Sequence, residues 1–146
     1  MANQYQVLKD RQQKEFNAFP MGAAFSNAQF VEMMGKLGLL PTDTDKIVQI
    51  GGGCYIRKTD REAFRALVER LEKEKEDALA ADTTGEGIIK DMFLYELANH
   101  EYCITYDLED TLDAVGLTVD EINADKRLLR GLEKALSQYL KDTENY

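Results

Sequence analysis

Histidine occurs once in the 146 residues, and cysteine and proline twice each. The two cysteines, Cys54 and Cys103, lie far apart and show no CxxC spacing, which argues against a redox pair or a thiolate metal site. In a cytoplasmic chain they are expected as free thiols. Two prolines and no long Ser, Gly or Gln tract leave no sign of a disordered linker. No apolar run approaches the ~18 residues of a membrane span. Residues 1–10 are polar and lack the basic and apolar halves of a signal peptide, so a cytoplasmic location is expected.

Hydrophobic residues make up 44% of the chain, enough for a globular core, and the length suits a single domain over residues 1–146. Charge is unevenly spread. The formal net charge is −9, yet residues 1–81 are neutral, with 12 acids and 12 bases. Residues 82–125 carry 12 acids against one base, Lys90. Such a block repels nucleic acid and attracts basic surfaces. Direct nucleic-acid binding is therefore disfavoured, and a basic protein is the natural complement. A plainer reading is that the acids only aid solubility.

Residues 3–19 read as a helix with Tyr5, Leu8, Gln12 and Phe16 near helical spacing, ended by Pro20. Ser26 opens a second helix with a capping box to Gln29 and a Phe25–Phe30 staple. Residues 46–50 and 54–58 flank Gly51-Gly52-Gly53 and predict a β-hairpin, joined by residues 21–25 as a possible third strand. A box from Thr59 to Glu62 starts a helix with Phe64, Leu67, Val68 and Leu71 on one stripe. Ile88, Ile89, Met92, Phe93, Leu97 and His100 mark a further helix. Residues 102–106 are β-prone and predict a short strand. Two more helices follow, one from Asp107 to Gly116, the other capped by Thr118 and Glu121 with Leu128, Leu129, Leu132, Leu136 and Leu140 inward. The fold class is α+β: mostly helical, with five or six helices and a small antiparallel hairpin or three-stranded sheet.

No motif identifies a reaction, a cofactor or a metal. The glycine run is followed by a strand-like segment rather than a helix N-terminus, so its amides do not converge as in a phosphate loop. Glu96, His100 and Cys103 fall at i, i+4 and i+7, which puts a carboxylate, an imidazole and a thiol on one helical face. Zinc accepts those types, although a structural site normally takes four N or S ligands. Asp107, Glu109, Asp110 and Asp113 lack the spacing of a calcium loop.

The stretch Gln13-Lys14-Glu15-Phe16-Asn17-Ala18-Phe19-Pro20, followed by Ala24-Phe25-Ser26-Asn27, combines with Ile50-Gly51-Gly52-Gly53 and Ile56-Arg57-Lys58-Thr59-Asp60. Later come Phe93-Leu94-Tyr95-Glu96-Leu97-Ala98-Asn99-His100-Glu101-Tyr102 and Asp110-Thr111-Leu112-Asp113-Ala114-Val115-Gly116-Leu117-Thr118. Together they resemble a family of small uncharacterised proteins of Gram-positive gut bacteria, found among phage and conjugative-element genes. The resemblance implies an accessory protein of a mobile element, of which many bind host proteins and some block defence nucleases.

The expectation that follows is a non-enzymatic binding protein, an inhibitor of the anti-CRISPR kind that occupies a basic nucleic-acid-binding surface of a host nuclease. Its contact residues are expected at Asp107, Glu109, Asp110, Asp113, Asp120 and Glu121, with no cofactor. One alternative is a homo-oligomeric structural or regulatory module, marked by exposed Tyr5, Phe16 and Phe19. The other is a small metalloenzyme using Glu96, His100 and Cys103.

Overall fold

The computed structural model describes residues 2–144. In chain order these form α1 (Gln4–Asn17), β1 (Gly22–Ala23), α2 (Asn27–Lys36), β2 (Ile47–Gly51), β3 (Cys54–Arg57) and α3 (Arg61–Ala81). There follow α4 (Ile88–Asn99), α5 (Tyr102–Thr105), α6 (Glu109–Val115), α7 (Val119–Ala124) and α8 (Lys126–Asp142). The result is the mostly helical α+β fold with one small antiparallel sheet that the sequence leads one to expect. The described residues fall into two compact units, one of residues 12–73, the other of residues up to Arg11 and from Glu74 on.

In the unit of residues 12–73 the strand order is β1-β3-β2. Gly51, Gly52 and Gly53 all have positive φ, 115°, 56° and 76°, which only glycine adopts without strain in such a run. This closes the β2–β3 hairpin with Gln49 opposite Tyr55. One sheet face carries Ile47, which packs with Met33 and Met34 of α2 and Leu37 just past its end, while Phe30 meets the Tyr55 ring edge-on. Alternation puts Val48 and its partner Ile56 on the other face. Phe16 and Phe19 set their rings edge-on to Phe64 of α3, at 5.9 and 5.4 Å. Neither is the exposed aromatic that a self-association contact calls for; Tyr5, the third, is buried.

In the other unit α4 is the central element. Ile88, Ile89, Met92, Phe93, Glu96 and Leu97 are all buried, so the helix is enclosed on most sides. It packs chiefly on α8, where Gly131 and Ala135 let the backbones approach. A Cβ on Gly131 would stand 2.7 Å from the Gly85 carbonyl oxygen and 2.6 Å from Ile89 Cγ2. These small residues turn the α8 stripe towards Leu132 and Tyr139, leaving Leu140 42% exposed instead of inward.

Three helix ends around this pair are sealed by polar side chains. The Asp82 carboxylate accepts hydrogen bonds from the Gly85, Gly87 and Ile89 amides at 2.9, 3.0 and 3.0 Å, covering the start of α4. Arg127 donates to the Leu79 and Asp82 carbonyls at the end of α3. Asp125 in turn holds Arg127 and caps α8 through the Arg127 amide. Burial pushes the Asp82 carboxyl up, but the Ile89, Gly85 and Gly87 amides outweigh it and hold it below the usual aspartate range. Asp125 is lowered chiefly by its hydrogen bond from Arg127.

Several local expectations are corrected. The expected final helix is two, because Asp125 is extended and both ends α7 and starts α8. Residues 102–106 make no strand. Tyr102 stacks on Tyr139 at 6.2 Å and the segment winds into the single turn α5, with no strand of its unit to pair with among the described residues. The Thr118–Glu121 capping box forms in full. Ser26 caps α2, but Gln29 returns its side chain to the Phe25 amide, and Phe25 is 77% exposed rather than stapled. The Thr59 box is displaced by a 3-10 turn over Lys58–Asp60 that runs directly into α3.

Gly131→Ala is expected to cost about 1–3 kcal/mol in urea unfolding, because the new methyl meets backbone. Gly35→Ala in α2, where nothing lies within 4 Å, is expected to gain about 0.5–1 kcal/mol. A neutral Gly131→Ala contradicts the α4–α8 packing. The lowered Asp82 carboxyl stabilises the fold above the unfolded value of about 3.9 and loses that contribution as pH falls through the depressed folded value. In acid titrations from pH 6 to pH 2, Asp82→Asn is expected to flatten this dependence; an unchanged profile contradicts the capping role.

Candidate functional site

The twelve acids of residues 82–125 sort into two groups by what surrounds them. Six serve the fold. Asp82 and Asp125 seal helix ends, as above. Asp91 accepts the Gln4 amide at 2.8 Å and so anchors the start of α1. Glu86 pairs with Arg130 at 3.1 Å, with Lys134 at 3.9 Å. Glu121 completes the α7 capping box, and Glu96 is buried against Lys9.

The remaining six, Glu101, Asp107, Glu109, Asp110, Asp113 and Asp120, are exposed. None has a basic side chain within ion-pair distance among the described residues. Asp107 makes only a local turn, accepting the Glu109 amide at 2.9 Å. In α6 the buried Thr111, Leu112 and Val115 face the core. Helical spacing then sets Glu109, Asp110 and Asp113 together on the opposite side. Five of the six sequence-predicted contact residues thus belong to the unpaired set, and Glu121 is exposed but engaged in its cap. Glu101 joins them; its exposure at a helix junction has no signature in the sequence pattern.

The same segment presents apolar side chains. Ile104 and Tyr106 are 68% and 71% exposed. Glu101 and Tyr106 flank α5 with φ of 52° and 54°, left-handed values that side chains other than glycine and asparagine rarely take. Each costs on the order of 1–3 kcal/mol, a kind of strain concentrated at functional sites.

The Glu96–His100 face has a different character. Glu96 is 1% exposed, and its Oε1 accepts from Lys9 Nζ at 3.1 Å. Lys9 also lies over the rings of Tyr95 and Tyr5, at 5.2 and 5.7 Å from their centres. Burial works to lower the Lys9 pKa, but the Glu96 hydrogen bond, Tyr5 and the Glu96 charge together hold it above the ordinary lysine value. Burial raises the Tyr5 phenol, with Lys9 opposing. His100 Nε2 approaches Glu96 Oε2 to 3.3 Å without the geometry of a hydrogen bond, and that nitrogen is buried without a hydrogen-bond partner. The Cys103 side chain lies outside the described residues. Glu96 and His100 therefore do come together, around a cation that the sequence reading missed, Lys9 of α1. Among the described residues no three His, Cys, Asp or Glu side chains gather as a metal site. Cys54 is half-buried and free.

The family model covers residues 4–138, and so elements of both compact units. The chain belongs to a family of unknown function, DUF7659. No curated protein and no solved structure matches it significantly. In this DUF7659 chain no described helix is long and apolar enough to cross a membrane.

Lys9→Met strips the buried Glu96 carboxylate of its cation. The expected loss is about 2–3 kcal/mol, towards the low side for a broken buried pair because Lys9 is half exposed. Adding Glu96→Gln to Lys9→Met is expected to recover part of it. Equal stability of wild type and Lys9→Met, measured by urea unfolding, removes the structural role assigned to this pair.

Proposed function

We propose that this protein acts by binding rather than catalysis, through the acidic surface at residues 101–120 and the exposed Ile104 and Tyr106 within it. The observation that carries the reading is the sorting of the acids: half secure the fold, and the other half stay exposed without cations among the described residues, in the stretch that also exposes Ile104 and Tyr106 on a strained turn. Unpaired like charges destabilise a compact state by mutual repulsion. Exposed apolar side chains in one segment with unpaired charges suit a protein-binding surface, where anchors supply affinity and charges supply steering and partner choice.

The partner of matching chemistry is a basic protein surface in the cytoplasm. In its most specific form the reading is an accessory inhibitor from a mobile element that covers the nucleic-acid groove of a host nuclease, as the resemblance to mobile-element proteins implies. Carboxylates in rows can stand in for phosphates there. An enzyme centred on Glu96 and His100 gains no support from a carboxylate already occupied by Lys9.

The test is capture of partners from nuclease-treated host lysate by the tagged protein, alongside the variant Asp107→Asn/Glu109→Gln/Asp110→Asn/Asp113→Asn. A basic protein retained at 50 mM salt is expected to be lost at about 0.5 M salt, where exposed charges are screened beyond a few ångströms. It is expected to be lost from the variant at every salt. Tyr106→Gly is expected to weaken capture as well while leaving stability within about 1 kcal/mol of wild type, since glycine relieves the left-handed backbone but gives up the edge-on contact of the Tyr106 ring with Tyr102. Capture indifferent to salt and to both variants overturns the proposal.

A further inference from the structure

A second surface, of opposite sign and independent of the acidic face, lies in the unit of residues 12–73. The sheet order β1-β3-β2 leaves β2 hydrogen-bonded on one side only. Its sequence, Ile47-Val48-Gln49-Ile50-Gly51, carries no charge and no proline. Edge strands are normally guarded by lysine, proline, bulges or inward charges, because an unguarded edge is a template for another strand. Here the one such device is an irregularity in register between Gln49 and Gly51, at the hairpin end, which leaves residues 47–49 in regular pairing with β3. Beside this edge runs an open groove of about 480 Å³ between the sheet and the first turns of α3. Val48, Ile50 and the fully buried Ile56 form its floor, and Phe64 and Val68 its wall.

Two guanidinium groups complete it. Arg61 and Arg65 line the groove one helical turn apart, both on exposed positions. Like charges at i and i+4 repel by a few tenths of a kcal/mol, about as much as an opposite pair gains. Glu62 and Glu69 are close in sequence, yet neither forms an ion pair with either arginine among the described residues. Both arginines thus remain available for carboxylates from outside, with Glu69 a single opposing charge farther along α3.

We propose that this groove binds an extended peptide that adds as a strand to the free edge of β2. Its alternate apolar side chains lie on Val48, Ile50 and Val68, and its Asp or Glu side chains pair with Arg61 and Arg65. Main-chain hydrogen bonds to the edge give affinity, and the alternating side chains give selectivity. Guanidinium–carboxylate pairs, often bidentate, set its register.

The test is selection of a random 12-residue displayed peptide library on the whole protein, with the same selection on Arg61→Glu/Arg65→Glu. A second variant, Val68→Lys, changes a side chain of the groove wall that is 43% exposed, where a lysine can reach solvent. Circular dichroism confirms that both variants fold. The expected result is enrichment of peptides alternating β-branched residues with Asp or Glu. Their binding should fall at least tenfold in each variant, with amide shifts confined to residues 47–69. No enrichment, or enriched peptides that bind both variants unchanged, overturns the proposal. So does self-association that Arg61→Glu/Arg65→Glu abolishes without added peptide, which would assign the groove to a second copy of the chain.

Discussion

A carboxylate in the middle of a hydrophobic helix is the constraint around which one of the two units is built. Taking an ion from water costs several kcal/mol even after relaxation, and a buried acid persists only when an opposite charge reaches it. Glu96 is met by Lys9 from α1, itself steadied by the Tyr5 and Tyr95 rings. The partner comes from 87 residues away in sequence. Its approach depends on Asp91 holding the start of α1 against the same helix. With α4 fixed in this way, Gly85 and Gly131 permit the close backbone contact with α8. Asp82, Asp125 and Arg127 then close the joints between helices.

This division of polar work gives the surface its meaning. Acids that a fold needs are found with their partners: amides at helix starts, an arginine across a loop, a lysine in the core. Those at residues 101–120 have no such partners among the described residues, and the same stretch of chain exposes Ile104 and Tyr106 on a backbone turn that is costly to keep. An acidic chain of this kind has charge to spare on one face, while the sheet edge with Arg61 and Arg65 offers the converse. As proposed, the two surfaces would take partners of opposite character.

Long apolar stripes were legible in the sequence because burial on one face of a helix imposes its own period. That is why α1 to α4, α6 and α8 fall where the stripes lie, and why the Thr118–Glu121 box, a purely local device, is found as read. Where a distant group decides, the pattern is silent. Tyr102 leaves the strand its composition suggests because Tyr139 offers a stacking partner. Phe16 and Phe19 are half-buried against Phe64, and no local signal announces it. The candidate contact residues were legible as a charge block. The separation of Asp82, Asp91 and Asp125 from Asp107 or Asp113 was not, since all are aspartates in one acidic stretch and only their hydrogen bonds tell them apart.

If this face is kept for binding, its exposed acids are surplus to folding. Urea unfolding of the protein with Asp107, Glu109, Asp110 and Asp113 changed to their amides measures this directly. The expected stability lies within about 0.5 kcal/mol of wild type, or above it as repulsion is relieved. A loss of several kcal/mol would show that these side chains hold the structure together and would contradict the assignment of the face to binding.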